Sequence, residues 1–214
     1  RIPTSPQFPK EEYQGADIMK VEPQVYDNVG IFDVKAMYHS NVDKYGISWD
    51  TLDSENGIDC GNGIKFDTSK KGLLVRQMDL MTNLRNEYKE KMKSCPSDEI
   101  PKWDAMQYAT KSLVASMYGV AGDAKCGFYH PSIASAITYT SRNTLGELAK
   151  NIEDSGCEVI YGHTDSCFAI VDSPEQGVEL TKKINLNMFP IVTEFEKWNS
   201  KLILMAKNRY AGNV

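Results

Sequence analysis

A short polar segment between two β-forming runs is the feature that most restricts how this 214-residue chain can fold. Residues 158–160 and 167–171 are β-prone, and residues 161–166 between them read Tyr-Gly-His-Thr-Asp-Ser. Such runs on both sides of a short polar stretch with glycine predict a β-hairpin. The hairpin would hold the Asp165 carboxylate at its tip, where it could bind a hard cation. The alternative is an Asp/Ser turn that stabilises only its own backbone.

Asp33 is a second carboxylate in a similar setting. It follows the apolar run 29–32, and residues 34–40 then change period as at a strand-to-helix junction. An aspartate at such a junction is most often a helix N-cap. However, two carboxylates at strand ends far apart in the chain are also what a two-metal phosphoryl-transfer site needs. Mg²⁺ prefers oxygen ligands, and substrate phosphates complete its shell.

Two amphipathic helices are predicted between these carboxylates. Apolar residues recur every three or four positions over residues 74–92 and 103–117, with a proline-containing break between the two stretches. Two helices joined by a short loop form an antiparallel hairpin. This hairpin could direct Arg85, Lys89 and Lys111 at one triphosphate. The alternative for each of these residues is a solvated helix face.

The remaining pattern completes an α+β fold. The further elements are an extended lead-in over residues 1–28, a loop at 54–63, helices at 131–152 and 174–198, and a strand at 201–205. The second of these helices would offer Phe195 and Trp198 to the core. Four strands, near 29–33, 158–161, 167–171 and 201–205, with helices on one face predict an antiparallel α+β layer.

Composition restricts the class of protein. With 41% hydrophobic residues, the chain can bury one sizeable core, or one core and a small helical appendage. We expect no membrane partner, since no apolar run approaches the about 18 residues of a membrane span and no signal-peptide pattern is present. Five scattered cysteines without a CxxC pair argue against zinc and favour a reducing intracellular compartment: cytoplasm, nucleoid or nucleus, depending on the host. The net charge of −5 is not typical of a nucleic-acid binder, although a metal-binding site is itself acidic.

Five segments resemble motifs of the family B DNA polymerases, in that family's order. They are Tyr13 to Ala16 (YxGG/A), Asp33 to Tyr38 (DxxSLYPS), Arg85 and Lys89 with Lys111 to Gly119 (KxxxNSxYG), Tyr161 to Ser166 (YGDTDS) and Lys207 to Gly212 (KKRY). Each pattern alone is weak, but five in sequence indicate common descent.

The resemblance implies a polymerase palm with a helical-hairpin fingers insertion. Residues 1–66 would form the first part of the palm, 67–119 the fingers and 120–214 the rest of the palm. The implied activity is template-directed DNA synthesis from dNTPs on a primer–template DNA. Because the family's exonuclease and thumb have no counterpart in this chain, we expect further domains or chains to supply them.

The resemblance also assigns roles to individual residues. Asp33 and Asp165 would be catalytic and, with the Val34 carbonyl, would hold two Mg²⁺ ions, for which Mn²⁺ is a possible substitute. The implied nucleotide-binding residues are Tyr38, Arg85, Lys89, Lys111 and Tyr118. The implied DNA-binding residues are Tyr13, Gly119, Thr164, Lys207, Arg209 and Tyr210.

The chain departs from the family's motifs at several positions. His163 replaces the first acidic residue of YGDTDS, Ala115 replaces the asparagine of the fingers motif, and Asn208 replaces the second lysine of KKRY. A neutral imidazole is a poorer partner for Mg²⁺ than a carboxylate. A degenerate palm, serving as a structural or DNA-binding subunit, is therefore the alternative function.

Overall fold

The computed structural model describes residues 21–53 and 55–213. The helices are α1 (Met37–Lys44), α2 (Leu73–Ser94), α3 (Ile100–Gly122), α4 (Pro131–Asp154) and α5 (Pro174–Asn187). The strands are β1 (Gln24–Val34), β2 (Ile58–Asp59), β3 (Lys65–Phe66), β4 (Val159–His163), β5 (Ser166–Ile170), β6 (Thr193–Ala206) and β7 (Arg209–Asn213). The described chain divides into two compact units, one of residues 45–137 and one of residues 21–44 with 138–213. The palm and fingers limits given above stay a prediction.

The second unit is built on one antiparallel sheet with the spatial order β4-β5-β1-β6-β7. Successive side chains of a strand point to opposite faces. In β1, Phe32 and Val34 therefore pack in a core cluster on one face, and Val29 and Ile31 pack in a cluster on the other. The first cluster is completed by residues of α4 and α5: Leu145, Leu148, Ala149, Ile152, Leu180 and Ile184. The expected α+β class, with helices on one face of an antiparallel sheet, is confirmed.

Two glycines let an aromatic ring approach the backbone between α5 and the sheet. A Cβ at Gly177 would overlap the Phe195 ring, and one at Gly30 would lie 2.8 Å from the same ring. Such distances are shorter than van der Waals contact, so a larger residue at either position would displace the ring. Phe195 also packs against Phe32, with ring centroids 5.3 Å apart. This packing fixes α5 against β1, the strand that ends at Asp33.

The helix predicted at 174–198 is wrong in its second half. Helix α5 ends at Asn187, and Phe195 and Trp198 lie on β6 instead. Pro190 cannot continue a helix, because it lacks the backbone N–H and its ring clashes with the preceding turn. The Asn185 side chain then joins the two elements, accepting from the Thr193 amide at 2.7 Å and donating to its carbonyl at 3.0 Å.

Three smaller expectations also need correction. Residues 24–28 of the predicted lead-in belong to β1, and β2 lies inside the predicted loop 54–63, where it pairs with β3. The segment from Arg209 to Asn213 forms β7, which the sequence analysis did not predict. Each of these strands is short or polar, and hydrophobic alternation detects such strands poorly.

In the unit of residues 45–137, α2 and α3 form the expected antiparallel hairpin. Tyr88 packs on Trp103 with ring centroids 5.9 Å apart, and Arg85 Nε donates to Gln107 Oε1 at 3.3 Å. Residues later in α2 contact residues earlier in α3, as expected for antiparallel helices. Across the described ranges, none of the helices has the length and continuous hydropathy that a membrane span requires.

Candidate active site

The ends of β1 and β5 bring the two predicted carboxylates together. Asp33 is the register partner of Ser166, the residue that follows Asp165. The Val34 amide donates to the Asp165 carbonyl at 2.8 Å, and the Ser166 hydroxyl donates to Asp33 Oδ1 at 2.8 Å. By strand alternation, Asp33 lies on the Ile31 side of the sheet, opposite α4 and α5.

Asp165 sits in a two-residue turn between β4 and β5. His163 pairs with Ser166 across the turn, and the Asp165 amide donates to the His163 carbonyl at 2.6 Å. Thr164 has φ of +49°, in the left-handed region that a β-branched residue rarely adopts. Strain of this kind is concentrated at functional sites. The turn holds the Asp165 backbone at the strand end next to Asp33.

Burial disfavours the charged form of both carboxyls, and the charge of Asp33 disfavours that of Asp165 further. Burial raises the pKa of Asp33, and the hydrogen bond from Ser166 lowers it in part. Burial also raises the pKa of Asp165, and the charge of Asp33 raises it further. Smaller effects on the Asp165 pKa come from His163, which lowers it, and Glu196, which raises it. A bound cation would relieve this repulsion, because an opposite charge favours the ionised carboxylate.

The donor set fits a hard divalent cation. Asp33 and Asp165 offer oxygen ligands and are only half-buried, so water and a substrate can complete a coordination shell. Within residues 21–53 and 55–213, no group of three or more His, Cys, Asp or Glu side chains is placed to hold a metal by itself. Two carboxylates that leave positions for phosphate oxygens match Mg²⁺, which is usually bound by one or two carboxylates.

Removing one of these charges should stabilise the metal-free protein. A raised carboxyl pKa gives stability that is complete below the unfolded-state pKa and is lost as the pH rises through the folded-state pKa. At pH 7 the charged Asp165 carboxylate therefore lowers the free energy of unfolding, and Asp165→Asn removes this destabilisation. We expect a gain of about 0.5 kcal/mol, or about 1–2 °C in Tm, because solvent screens groups that are only half-buried. The measurement is thermal unfolding in chelator at pH 7 and pH 4.

The gain from Asp165→Asn should shrink at pH 4, because the raised pKa leaves a larger fraction of the native carboxyl protonated there than at pH 7. Asp27→Asn is the matched control, since Asp27 is an exposed carboxylate on the same strand as Asp33. It should show no gain at either pH. An equal or lower Tm for Asp165→Asn at pH 7 would contradict the repulsion between the two carboxylates.

The predicted triphosphate ligands line one side of the helical hairpin. Arg85 and Lys89 are one turn apart on α2, and Lys111 is one turn beyond Gln107, the partner of Arg85. Along the helix axes the order is Lys89, Arg85, Lys111, with about 6 Å between neighbours. Lys89 and Lys111 are exposed and Arg85 is half-buried. Their nucleotide-binding role stays a prediction.

The other predicted contacts are distributed over both units. Tyr38 is half-buried in the first turn of α1, and Tyr118 and Gly119 lie near the end of α3. Thr164 Oγ1 is 3.3 Å from His163 Nε2. Tyr13 lies outside the described residues. The roles of these residues stay predictions.

The KKRY-like segment forms the turn between β6 and β7. Lys207 lies in the turn and is exposed, as are Arg209 and Tyr210 on β7. The Tyr210 and Phe168 rings pack in a T-shaped arrangement with their centroids 4.9 Å apart. Burial is the largest cause that raises the Tyr210 hydroxyl pKa. Of the three DNA contacts predicted in this segment, Arg209 and Tyr210 thus lie on a strand at the edge of the sheet.

Sequence reasoning missed two residues that act on the carboxylates. Ser166 belongs to the Tyr161 to Ser166 motif but was assigned no role, yet its hydroxyl orients Asp33. Glu196 was placed in a helix, yet its charge raises the pKa of Asp165. The register between β1 and β6 shifts after Ile31, which leaves Glu196 as the extra residue of a β-bulge. No local pattern could have placed it, because the bulge leaves Phe195 and Trp198 three residues apart, a spacing that also fits a helix.

An antiparallel sheet that presents two aspartates at neighbouring strand ends fits the palm class of polymerase fold. The chain belongs to DNA polymerase family B, because the model of that family matches residues 2–214. The DNA polymerase of Archaeoglobus fulgidus is 31% identical over 219 residues, which cover 99% of this chain and 28% of that protein. DNA polymerase 2 of Aeropyrum pernix is 26% identical and is matched over 99% of this chain and 27% of its own length.

A solved structure supports the same assignment. The family B DNA polymerase of Pyrobaculum calidifontis matches with a TM-score of 0.71 and 27% identity, over 97% of this chain and 29% of that one. The chain therefore spans less than a third of the length of these relatives.

Proposed function

We propose that this chain is the palm and fingers part of a DNA polymerase that adds dNTPs to a primer 3′-hydroxyl on a DNA template. One observation carries the proposal. The strand register seats Asp33 and Asp165 at the same end of the sheet, where the charge of one raises the pKa of the other. Membership of family B supports the same reaction. Further domains or chains would supply the thumb and exonuclease.

Asp33 and Asp165, with the Val34 carbonyl, would hold two Mg²⁺ ions, or Mn²⁺ in their place. When bound, these cations lower the pKa of the primer hydroxyl and neutralise charge on the pyrophosphate. Ser166 holds one oxygen of Asp33, so that its carboxylate is oriented before substrate arrives. The tight turn at Thr164 does the same for the Asp165 backbone.

The basic residues of the hairpin would bind the triphosphate. Arg85, Lys89 and Lys111 supply positive charge where negative charge develops on the transferred phosphate. Tyr118 and Gly119 face the nascent base pair in this proposal. The DNA contacts come from Tyr13, Thr164, Lys207, Arg209 and Tyr210, which position the duplex without reading its sequence.

Primer extension by the full-length protein tests the proposal. We expect template-dependent incorporation of dNTPs with Mg²⁺ and with Mn²⁺, resolved at single-nucleotide length on a gel. A non-complementary dNTP and a primer with a 3′-deoxy end are the controls. The absence of extension with either metal, from a folded sample that binds primer–template DNA, would contradict it.

That negative outcome would favour a second function, a catalytically inactive palm that serves as a structural or DNA-binding subunit. Three departures from the family's motifs, at His163, Ala115 and Asn208, motivate this alternative. Ala115 is exposed on α3, where an asparagine would offer a side-chain contact that alanine lacks. In that case metal addition would change DNA affinity little, since no catalytic cations would be held.

Tyr38→Ala should relax discrimination against ribonucleotides. In the proposed reaction the Tyr38 ring lies under the incoming sugar and excludes its 2′-hydroxyl. We expect the ratio of kcat/KM for dNTP over rNTP to fall roughly tenfold to 100-fold, a range typical of steric selection. Tyr38→Phe retains the ring and is expected to retain the ratio. An unchanged ratio in Tyr38→Ala would remove Tyr38 from the sugar site.

A further inference from the structure

The Tyr161 hydroxyl and Asn208 form a reciprocal pair of hydrogen bonds. The Asn208 amide donates to the hydroxyl at 3.1 Å, and the hydroxyl donates to Asn208 Oδ1 at 3.2 Å. Tyr161 is almost fully buried, at 1% exposure, so few other partners can reach its hydroxyl. A buried hydroxyl that both accepts and donates is held firmly, because losing either bond leaves a polar group unpaired.

This pair connects two segments of the sheet that are not joined by backbone hydrogen bonds between neighbouring strands. Strand β4, which contains Tyr161, is one edge of the sheet, and β7, which begins after Asn208, is the other. Between them lie β5, β1 and β6. The bond therefore passes across one face of the sheet. It lies on the side of the second core cluster, which contains Tyr161, Phe168 and Leu204.

Asparagine suits this position better than the lysine of the family motif. Asn208 has φ of +59°, in the left-handed region that asparagine tolerates better than lysine does. It is the last residue of the turn that Ala206 and Arg209 close. Its short side chain also carries an acceptor, which lysine does not.

Tyr161 in turn contacts the residues around Asp165. Its ring stacks on His163, with centroids 6.4 Å apart and planes at 15°, and packs against Phe168 at 5.2 Å. His163 is two residues before Asp165, and its carbonyl oxygen accepts a hydrogen bond from the Asp165 amide. Thus two departures from the family motif, His163 and Asn208, both contact the same tyrosine.

We infer that Asn208 is a positioning residue that, through Tyr161, fixes the turn bearing Asp165 relative to the β6–β7 turn. This inference rests on the proposed function, in which Asp165 is catalytic and Lys207 and Arg209 contact DNA. The Tyr161–Asn208 bond holds the primer contacts and the catalytic carboxylate in one rigid arrangement. Asn208 therefore maintains the geometry of the site and does not indicate that catalytic function has been lost.

The test compares four variants of the full-length polymerase. Asn208→Gly keeps the amide and the left-handed turn but removes the acceptor, and Tyr161→Phe removes the hydroxyl. The double variant combines them, and Asn208→Asp retains an acceptor. We expect single-turnover incorporation at saturating dNTP to fall about fivefold in each single variant, as small misplacements do. Backbone amides of residues 162–166 and 207–209 should exchange hydrogen several-fold faster in both.

The double variant should be no slower than Tyr161→Phe, because both changes remove one link, and Asn208→Asp should retain the native rate. Additive losses would mean that Asn208 acts by itself, for example by touching DNA, and would overturn the inference. Unchanged exchange, or faster exchange with unchanged incorporation, would overturn it as well. If the native protein incorporates no nucleotide, the proposed function fails instead, and the exchange comparison still decides whether the link exists.

Discussion

Asp165→Ala in the full-length polymerase should lower single-turnover incorporation by about 10³-fold or more and leave primer–template affinity within about twofold. In this variant Asp33 is left without the second carboxylate, and one carboxylate alone holds a divalent cation poorly. In the proposed function, affinity for DNA depends on basic residues elsewhere, such as Lys207 and Arg209, so it should change little. Rapid-quench incorporation and fluorescence titration of labelled DNA measure the two quantities.

Asp27→Ala is the matched control for this variant. Asp27 is an exposed aspartate on β1, the strand that ends at Asp33, and its distance to Lys201 Nζ is 3.9 Å. An exposed pair of this kind contributes little to stability. Incorporation should therefore stay close to the native rate. If Asp165→Ala retains native incorporation, Asp165 does not belong to the site and the two-carboxylate proposal is wrong.

Elements that depend on local periodicity could be predicted from the sequence. The hairpin at residues 159–170 and helices α2, α3 and α4 lie close to their predicted positions. In each of these elements, the apolar residues that define the period and the residues that end the element are close together in the sequence. The error at 188–198 has a different cause. There an apolar spacing compatible with a helix continues past Pro190, and only pairing with β1 decides in favour of a strand.

The candidate site divides in the same way. Asp33 and Asp165 could be found because each follows a strand-like run, but their proximity depends on the register between β1 and β5. Ser166 and Glu196 could not be found, since the first acts through that register and the second through a bulge in β6. Register and bulges are long-range properties that no window of sequence contains.

Removal of divalent cations should abolish incorporation, and the choice of cation should depend on His163. An imidazole beside two carboxylates favours Mn²⁺ over Mg²⁺, because Mn²⁺ accepts nitrogen ligands more readily. We expect His163→Asp to lower the ratio of Mn²⁺-supported to Mg²⁺-supported incorporation by roughly threefold to tenfold. A third carboxylate adds an oxygen ligand and negative charge, both of which suit Mg²⁺. Titration of each cation against the incorporation rate, after treatment with chelator, measures the ratio.

His163→Asn separates the two contributions of the aspartate. It removes the imidazole without adding charge, so it should lower the preference for Mn²⁺ without improving activation by Mg²⁺. The Tyr161 ring loses its stacking partner in both variants, which makes them a matched pair for any structural loss. Full incorporation in the presence of chelator would contradict cation-dependent chemistry at Asp33 and Asp165. Identical cation ratios in all three proteins would show that His163 does not influence the metal site, and the native preference would then depend on the two carboxylates alone.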